Sequence, residues 1–125
     1  MRKPRVLIVD DEPPIVLSLE FLLNRAGFAT ASAADGEQGL QLVREFRPDV
    51  VLLDIMMPKR NGYEVCQAIK ADPELGAIPV ILLTAKGQES DVARGRALGA
   101  SAYVTKPFGN AEIIETIRSI LAEPP

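Results

Sequence analysis

Residues 50–54 have the sequence Val-Val-Leu-Leu-Asp, four consecutive aliphatic residues that end at an acidic one. Similar short, mostly apolar runs recur at Val6–Val9, Phe28–Ser32, Val80–Leu83 and Ala102–Thr105. Continuous apolar runs of this length predict strands that are covered on both faces, because a strand with one solvent face would alternate apolar and polar residues. The stretch that ends at residue 54 is therefore predicted to be the third of five strands in a sandwiched sheet.

Segments with helical periodicity separate these runs. Asp35 and Asn61, each followed three residues later by Gln or Glu, have the spacing of a capping box and predict helix starts. Gly27 and Gly99 stand where two helices are expected to end. Strands that alternate with helices require crossover connections, so the predicted fold class is α/β with a parallel sheet and five helices.

The chain has the size and composition of one globular domain. It has 125 residues, of which 47% are hydrophobic and 25% charged. We expect a single domain over residues 1–125, with a core from about residue 4 to residue 122. Residues 123–125 are expected to be a tail or the start of a linker.

Charge and residue usage exclude several functions. Fourteen Lys and Arg face seventeen Asp and Glu, for a net charge of -3 and no basic stripe, which argues against direct nucleic-acid binding. There is no His, which excludes histidine-based zinc sites and Ser-His-Asp triads. The single Cys66 allows no internal disulfide. No apolar run is long enough for a signal peptide or a membrane span, so a cytoplasmic protein is predicted.

Polar residues follow the predicted strands at the points where the strands end. Asp10, Asp11 and Glu12 follow the first, Asp54 the third and Thr84 the fourth, and Lys106 comes just after the fifth. Each residue alone is unremarkable, because turns, caps and strand ends use these residue types routinely. Together they predict a site, since ligands of open α/β sheets bind outside the carboxyl ends of the strands.

The residue types at this edge indicate a cation and a phosphate. Two carboxylates about 5 Å apart repel each other by roughly 3 kcal/mol at an effective dielectric constant of ~20, so Asp10, Asp11 and Asp54 require a positive partner. Oxygen ligands alone favour Mg²⁺ or Mn²⁺. Lys106 and Thr84 supply an ammonium and a hydroxyl for phosphoryl oxygens. We therefore expect Asp54 to act as the nucleophile of a phosphoryl transfer.

Over nearly its full length the chain resembles the receiver domains of two-component response regulators. The resemblance rests on these segments: Val9-Asp10-Asp11-Glu12, Leu52 to Pro58 with Gly62, Leu82-Leu83-Thr84-Ala85, Gly99-Ala100, and Tyr103 to Phe108. It implies a flavodoxin-like, doubly wound, five-stranded sheet of order 2-1-3-4-5. It also implies that Asp54 accepts a phosphoryl group from a phosphohistidine on a sensor histidine kinase or histidine phosphotransfer protein.

The resemblance further implies a role for each site residue. Asp11, Asp54 and the backbone carbonyl of Met56 would be direct ligands of Mg²⁺ or Mn²⁺, and Asp10 would act largely through water. Thr84 and Lys106 would bind the phosphoryl oxygens. No other cofactor is implied, and the domain is expected to be a signalling module that catalyses only its own phosphorylation and dephosphorylation.

A conformational switch is implied as well. Thr84 would move toward the phosphoryl group, and Tyr103 would rotate inward into the space that this frees. The surface of the fourth helix, fifth strand and fifth helix would then change and contact an effector domain or protein. The resemblance is compatible with a monomer or a phosphorylation-dependent dimer, and the peptide bond from Lys106 to Pro107 is expected to be cis.

Three other functions fit parts of the pattern. A phosphohydrolase of the haloacid dehalogenase type also uses an Asp nucleophile, but it requires a second acid where this chain has Met56. A flavodoxin-type electron carrier would bind phosphate after the first strand, where Asp10, Asp11 and Glu12 would repel it. A degenerate receiver that only docks other proteins is disfavoured because every expected acceptor residue is present.

Overall fold

The computed structural model describes residues 3–55, 57, 61–85 and 89–122. Five strands and five helices alternate along these residues. The strands are β1 (Arg5–Val9), β2 (Ala29–Ala33), β3 (Val50–Asp54), β4 (Val80–Ala85) and β5 (Ala102–Lys106). The helices are α1 (Pro13–Arg25), α2 (Gly36–Phe46), α3 (Gly62–Ala71), α4 (Glu89–Ala97) and α5 (Asn110–Ala122). Within the described part of the chain, every helix is too short or too polar to cross a membrane.

All neighbouring strands are parallel, and their order is β2-β1-β3-β4-β5. This confirms the predicted flavodoxin-like sheet. The second strand begins one residue later than predicted, because the backbone N–H of Phe28 donates to the carbonyl of Leu23 and closes the end of α1. The Phe28 side chain is buried nevertheless, so the apolar pattern marked burial correctly and the strand boundary imperfectly.

The sheet lies between two apolar layers, as the continuous apolar runs predict. Alternate residues of one strand supply opposite layers, so that Leu7 packs toward α2 and α3 whereas Ile8 packs toward α1 and α5. Cys66 is a buried free thiol in the first of these layers, where it packs as a small hydrophobic residue. Each fully buried aliphatic side chain stabilises the fold by about 1.5–3 kcal/mol.

Helix ends follow the sequence signals closely. Asp35 Oδ1 accepts a hydrogen bond from Gln38 N at 2.9 Å, and Asn61 Oδ1 accepts one from Glu64 N at 3.0 Å. Gly27 has φ +97°, a left-handed conformation in which glycine is favoured. The Asn61 cap fixes the start of α3, the helix that follows β3 along the chain.

Candidate functional site

The carboxyl end of β1 presents two carboxylates in different environments. Asp10 is buried, and its Oδ1 accepts a hydrogen bond from Glu12 N at 2.9 Å, while its own N–H donates to the carbonyl of Ala33 on β2. Asp11 is exposed. The turn after β1 therefore points one carboxylate into the domain and leaves the next accessible to solutes.

Asp54 ends β3, the neighbouring strand, and only 5% of it is exposed. Asp10, Asp11, Glu12 and Asp54 each offer a carboxylate oxygen, and these oxygens lie within 4.8 Å of one another. The predicted convergence of Asp10, Asp11 and Asp54 is confirmed. Glu12, the third acidic residue after β1, also belongs to the cluster, although no role in metal binding or catalysis was predicted for it.

Lys106, the last residue of β5, reaches into the same cluster. Its Nζ lies 2.8 Å from Asp10 Oδ2, 3.5 Å from Asp54 Oδ1 and 3.9 Å from Glu12 Oε1. Burial lowers the pKa of this ammonium, but the hydrogen bond to Asp10 and the nearby negative charges outweigh burial, and the pKa is raised overall. Lys106 is therefore charged, and it offsets part of the repulsion among the carboxylates.

We define the acidic pocket as Asp10, Asp11, Glu12, Asp54 and Lys106. Four carboxylates and one ammonium leave it with a formal charge of about −3, so a divalent cation is the complementary ligand. All-oxygen donors without nitrogen or sulfur suit Mg²⁺ or Mn²⁺. Opposite ligands of Mg²⁺ lie about 4 Å apart, close to the 4.8 Å limit of the oxygen cluster. The residues present therefore fit such an ion.

Thr84 lies beside the pocket on β4. Register pairs Leu83 with Asp54, so Thr84 stands one residue further toward the carboxyl edge. Thr84 is buried, and its hydroxyl lies 3.5 Å from that of Thr105, its register partner on β5. Thr105 is a second residue for which no role was predicted, because a threonine within a strand carries no functional signal of its own.

Tyr103 stands apart from the pocket, nearer the start of β5. Tyr103 is 41% exposed, while the adjacent Val104 is buried. Strand alternation places Tyr103 on the same face of β5 as Thr105, two residues along. Tyr103 therefore points outward, toward solvent. It lies on the same strand face as Thr105, the register partner of Thr84.

Of two further expectations, one lies outside the described residues and the other is confirmed. Met56, whose backbone carbonyl is an expected metal ligand, lies outside the described residues. The peptide bond between Lys106 and Pro107 is cis, as expected.

Comparison with known proteins identifies the family. The family model for the response regulator receiver domain matches residues 6–118 of this chain. The chain belongs to this family. It is accordingly a receiver domain of a two-component response regulator, and its acidic pocket fits a Mg²⁺ ion.

Individual relatives agree with the family assignment. The probable transcriptional regulator ycf27 of Guillardia theta is 48% identical over 95% of this chain and 46% of its own length. A putative response regulator from Chloroflexus aurantiacus has a TM-score of 0.94 and 34% identity over 98% of this chain and all (100%) of that one. The chain spans about half the length of the curated relatives it matches.

One solved relative bears on the metal. The receiver domain of sensor histidine kinase PA1611 from Pseudomonas aeruginosa has a magnesium ion coordinated in its active-site cleft. Its TM-score is 0.89, and it is 27% identical over 97% of this chain and 99% of its own. The acidic cluster together with this relative indicates magnesium as the cation.

Proposed function

We propose that Asp54 is the phosphoryl acceptor of this receiver domain. The observation that supports this role is the position of Asp54 within the acidic pocket, where the ammonium of Lys106 and three other carboxylates converge on it. An Asp54 oxygen attacks the phosphorus of a partner's phosphohistidine. The bond from phosphorus to the imidazole nitrogen breaks, and its electron pair stays with the imidazole, which takes up a proton.

The other pocket residues support that transfer. Asp11 and Asp54, with the backbone carbonyl of Met56, would hold Mg²⁺ or Mn²⁺, which neutralises phosphoryl charge when bound. Asp10 would act on the cation through water, and its direct ion pair with Lys106 supports this indirect role. Lys106 and Thr84 would bind phosphoryl oxygens, because an ammonium and a hydroxyl are the donors that the pocket offers.

Phosphorylation of Asp54 would change the structure of the domain at a distance from the acidic pocket. Thr84 would turn toward the phosphoryl group, Tyr103 would move inward, and the surface of α4, β5 and α5 would change for an effector domain or protein. The partners we propose are a sensor histidine kinase or a histidine phosphotransfer protein in the cytoplasm. The chain would act as one signalling domain over about residues 4–122, as a monomer or a phosphorylation-dependent dimer, and not as a multiple-turnover enzyme.

The test uses acetyl phosphate, a small phosphoryl donor that requires no partner protein. Purified protein is incubated with acetyl phosphate in Mg²⁺ or in EDTA, and phosphoryl uptake is measured by intact mass. We expect uptake by the wild type in Mg²⁺ and none in EDTA. Asp54→Asn removes the nucleophile and abolishes uptake.

Asp72→Asn is the matched control. Asp72 lies at the end of α3, where its carboxylate accepts from Glu74 N, a bond that the Asn side-chain oxygen can also accept. This variant is expected to behave as the wild type. Undiminished uptake by Asp54→Asn, or uptake that ignores EDTA, would contradict the proposed function. A domain that takes up nothing under any condition would instead support the alternative of a docking module.

A further inference from the structure

Helix α4 places a cation directly over the exposed tyrosine of β5. The guanidinium carbon of Arg96 lies 4.9 Å from the centroid of the Tyr103 ring. Exposed large hydrophobic side chains are few among the described residues, and Tyr103 is one of them. A guanidinium at this distance stabilises the ring where it stands, because the ring face is negative. The outward position of Tyr103 is thus held by a specific contact.

The contact is geometrically fixed because α4 packs closely on the sheet. A Cβ added at Gly95 would overlap Leu82 Cδ1, so the backbone of α4 rests directly on β4 at this point. Leu82 is the register partner of Tyr103. Arg94, on the other side of Gly95, stacks on the ring of Tyr63 at 4.3 Å. These contacts hold the backbone that carries Arg96 beside β5.

We propose that Arg96 is a positioning residue that holds Tyr103 outward and so sets how much of the unphosphorylated domain occupies the active state. This inference rests on the proposed function, in which Tyr103 moves inward when Asp54 is phosphorylated. Inward rotation takes the ring away from Arg96, so the contact stabilises only the resting state. A group that stabilises one state of a two-state equilibrium lowers the apparent affinity of any ligand that prefers the other state.

The size of the effect follows from the exposure of the pair. An exposed cation–π contact is a modest interaction, and its loss is expected to raise the active fraction roughly two- to fivefold. Beryllofluoride, which mimics a phosphoryl group on a carboxylate, should then bind the Arg96→Met variant tighter by the same factor of about two to five. Arg96→Lys keeps the charge without the planar guanidinium, so its affinity for beryllofluoride should lie between those of the wild type and Arg96→Met.

The chain is well suited to a direct readout, because it has two Tyr and no Trp. Protein labelled with 3-fluorotyrosine should give one fluorine resonance for each tyrosine, assigned by Tyr63→Phe. Beryllofluoride with Mg²⁺ is titrated into the wild type, and the Tyr103 resonance reports the switch. In Arg96→Met without beryllofluoride, we expect this resonance to be displaced toward the position it reaches in the activated wild type.

Arg25→Met is the matched control. Arg25 is an exposed arginine that stacks on Phe21 of α1 at 5.6 Å, so its removal changes charge and aromatic contact in the same way at a distant place. We expect this variant to leave both the Tyr103 resonance and beryllofluoride affinity at wild-type values.

Two failures can be told apart. If the wild type responds to beryllofluoride and Arg96→Met matches it in resonance and affinity, the role of Arg96 is wrong while the proposed function stands. If Tyr103 of the wild type does not respond to beryllofluoride at all, the proposed switch fails, and the role of Arg96 fails with it.

Discussion

The acidic pocket and the α4–β5 face, which we define as Gly95, Arg96 and Tyr103, are held together by different forces. In the pocket, three carboxylates that follow β1 or end β3 lie within 3.9 Å of the Lys106 ammonium of β5, and Asp10 and Asp54 are almost fully buried. On the α4–β5 face, one exposed ring stacks on one exposed arginine. The first region depends on strong opposing charges and the second on a weak contact.

The difference suits the two tasks that we propose for this domain. Charge interactions inside a low-dielectric pocket are large, so a phosphoryl group arriving there changes the local free energy substantially. An exposed contact of modest strength can be broken by a fraction of that change. The pocket is therefore suited to sense the phosphoryl group, and the α4–β5 face is suited to report it.

Removing Lys106 should have the largest effect and should be confined to the pocket. Lys106→Met leaves the buried Asp10 and Asp54 without their ammonium, and breaking such a pair costs about 3 kcal/mol. We expect urea unfolding in EDTA to show this decrease in the free energy of unfolding. The decrease should be smaller in Mg²⁺, because the cation supplies the missing positive charge. Phosphoryl uptake from acetyl phosphate should also fall.

Lys70→Met is the matched control for that measurement. Lys70 is also half-buried, but its Nζ donates to the carbonyls of Gly76 and Ile78 rather than to carboxylates. Burial lowers the pKa of this ammonium. Its replacement should destabilise the domain equally with Mg²⁺ and with EDTA. If the loss of unfolding free energy in Lys106→Met is likewise independent of Mg²⁺, the electrostatic account of the pocket is wrong.

The two regions can also be compared by replacing one glycine beside each of them with alanine, which adds one methyl group. A Cβ at Gly62 would overlap the backbone carbonyl of Asp54 and come within 2.8 Å of Ile55 Cα, so Gly62→Ala must displace the strand end that carries Asp54. A Cβ at Gly95 would press on the Leu82 side chain instead.

We expect Gly62→Ala to lower the free energy of unfolding by about 2 kcal/mol and to slow phosphoryl uptake as well. Gly95→Ala should cost less, because the helix propensity of alanine offsets about 1 kcal/mol of the overpacking. It should leave uptake near the wild-type rate while changing the Tyr103 fluorine resonance. Equal loss of uptake in both variants would argue against treating the regions as separable.

The smallest expected change in stability is at Thr84, which in the proposed switch connects the two regions. Thr84→Val keeps the shape and removes the hydroxyl that meets Thr105, for a loss below about 1 kcal/mol. Phosphoryl uptake should persist at a reduced rate, whereas the Tyr103 resonance should no longer respond to beryllofluoride. Thr105→Val, the control on β5, should preserve that response. A normal response of the Tyr103 resonance to beryllofluoride in Thr84→Val would show that Thr84 takes no part in the switch.

The fold and much of the pocket were predictable because they depend on local patterns. Short, mostly apolar runs marked all five strands. In a parallel sheet, a polar residue directly after an apolar run lies at the carboxyl edge. The sequence alone therefore predicted that Asp10, Asp54 and Lys106 lie close together. The capping residues Asp35 and Asn61 were visible for a similar reason, since a cap contacts its own helix.

What could not be predicted depends on side chains that meet across elements. Arg96 and Tyr103 come into contact only through the packing of α4 on β4, which turns on the close fit of Gly95 against Leu82. Helix α4 itself gave the weakest periodic signal, because arginine and glycine interrupt its apolar face. Thr105 likewise acquires its position beside Thr84 from strand register, which no local pattern specifies.

The most direct test of the central claim locates the phosphoryl group on the chain. Protein treated with acetyl phosphate and Mg²⁺ is reduced with borohydride, which converts an aspartyl phosphate to homoserine, and the modified residue is identified by tandem mass spectrometry. We predict homoserine at position 54 and at no other acidic residue, with none formed when EDTA replaces Mg²⁺. Homoserine at Asp10 or Asp11, or a phosphorylated protein with Asp54 unmodified, would contradict the assignment of Asp54 as the acceptor.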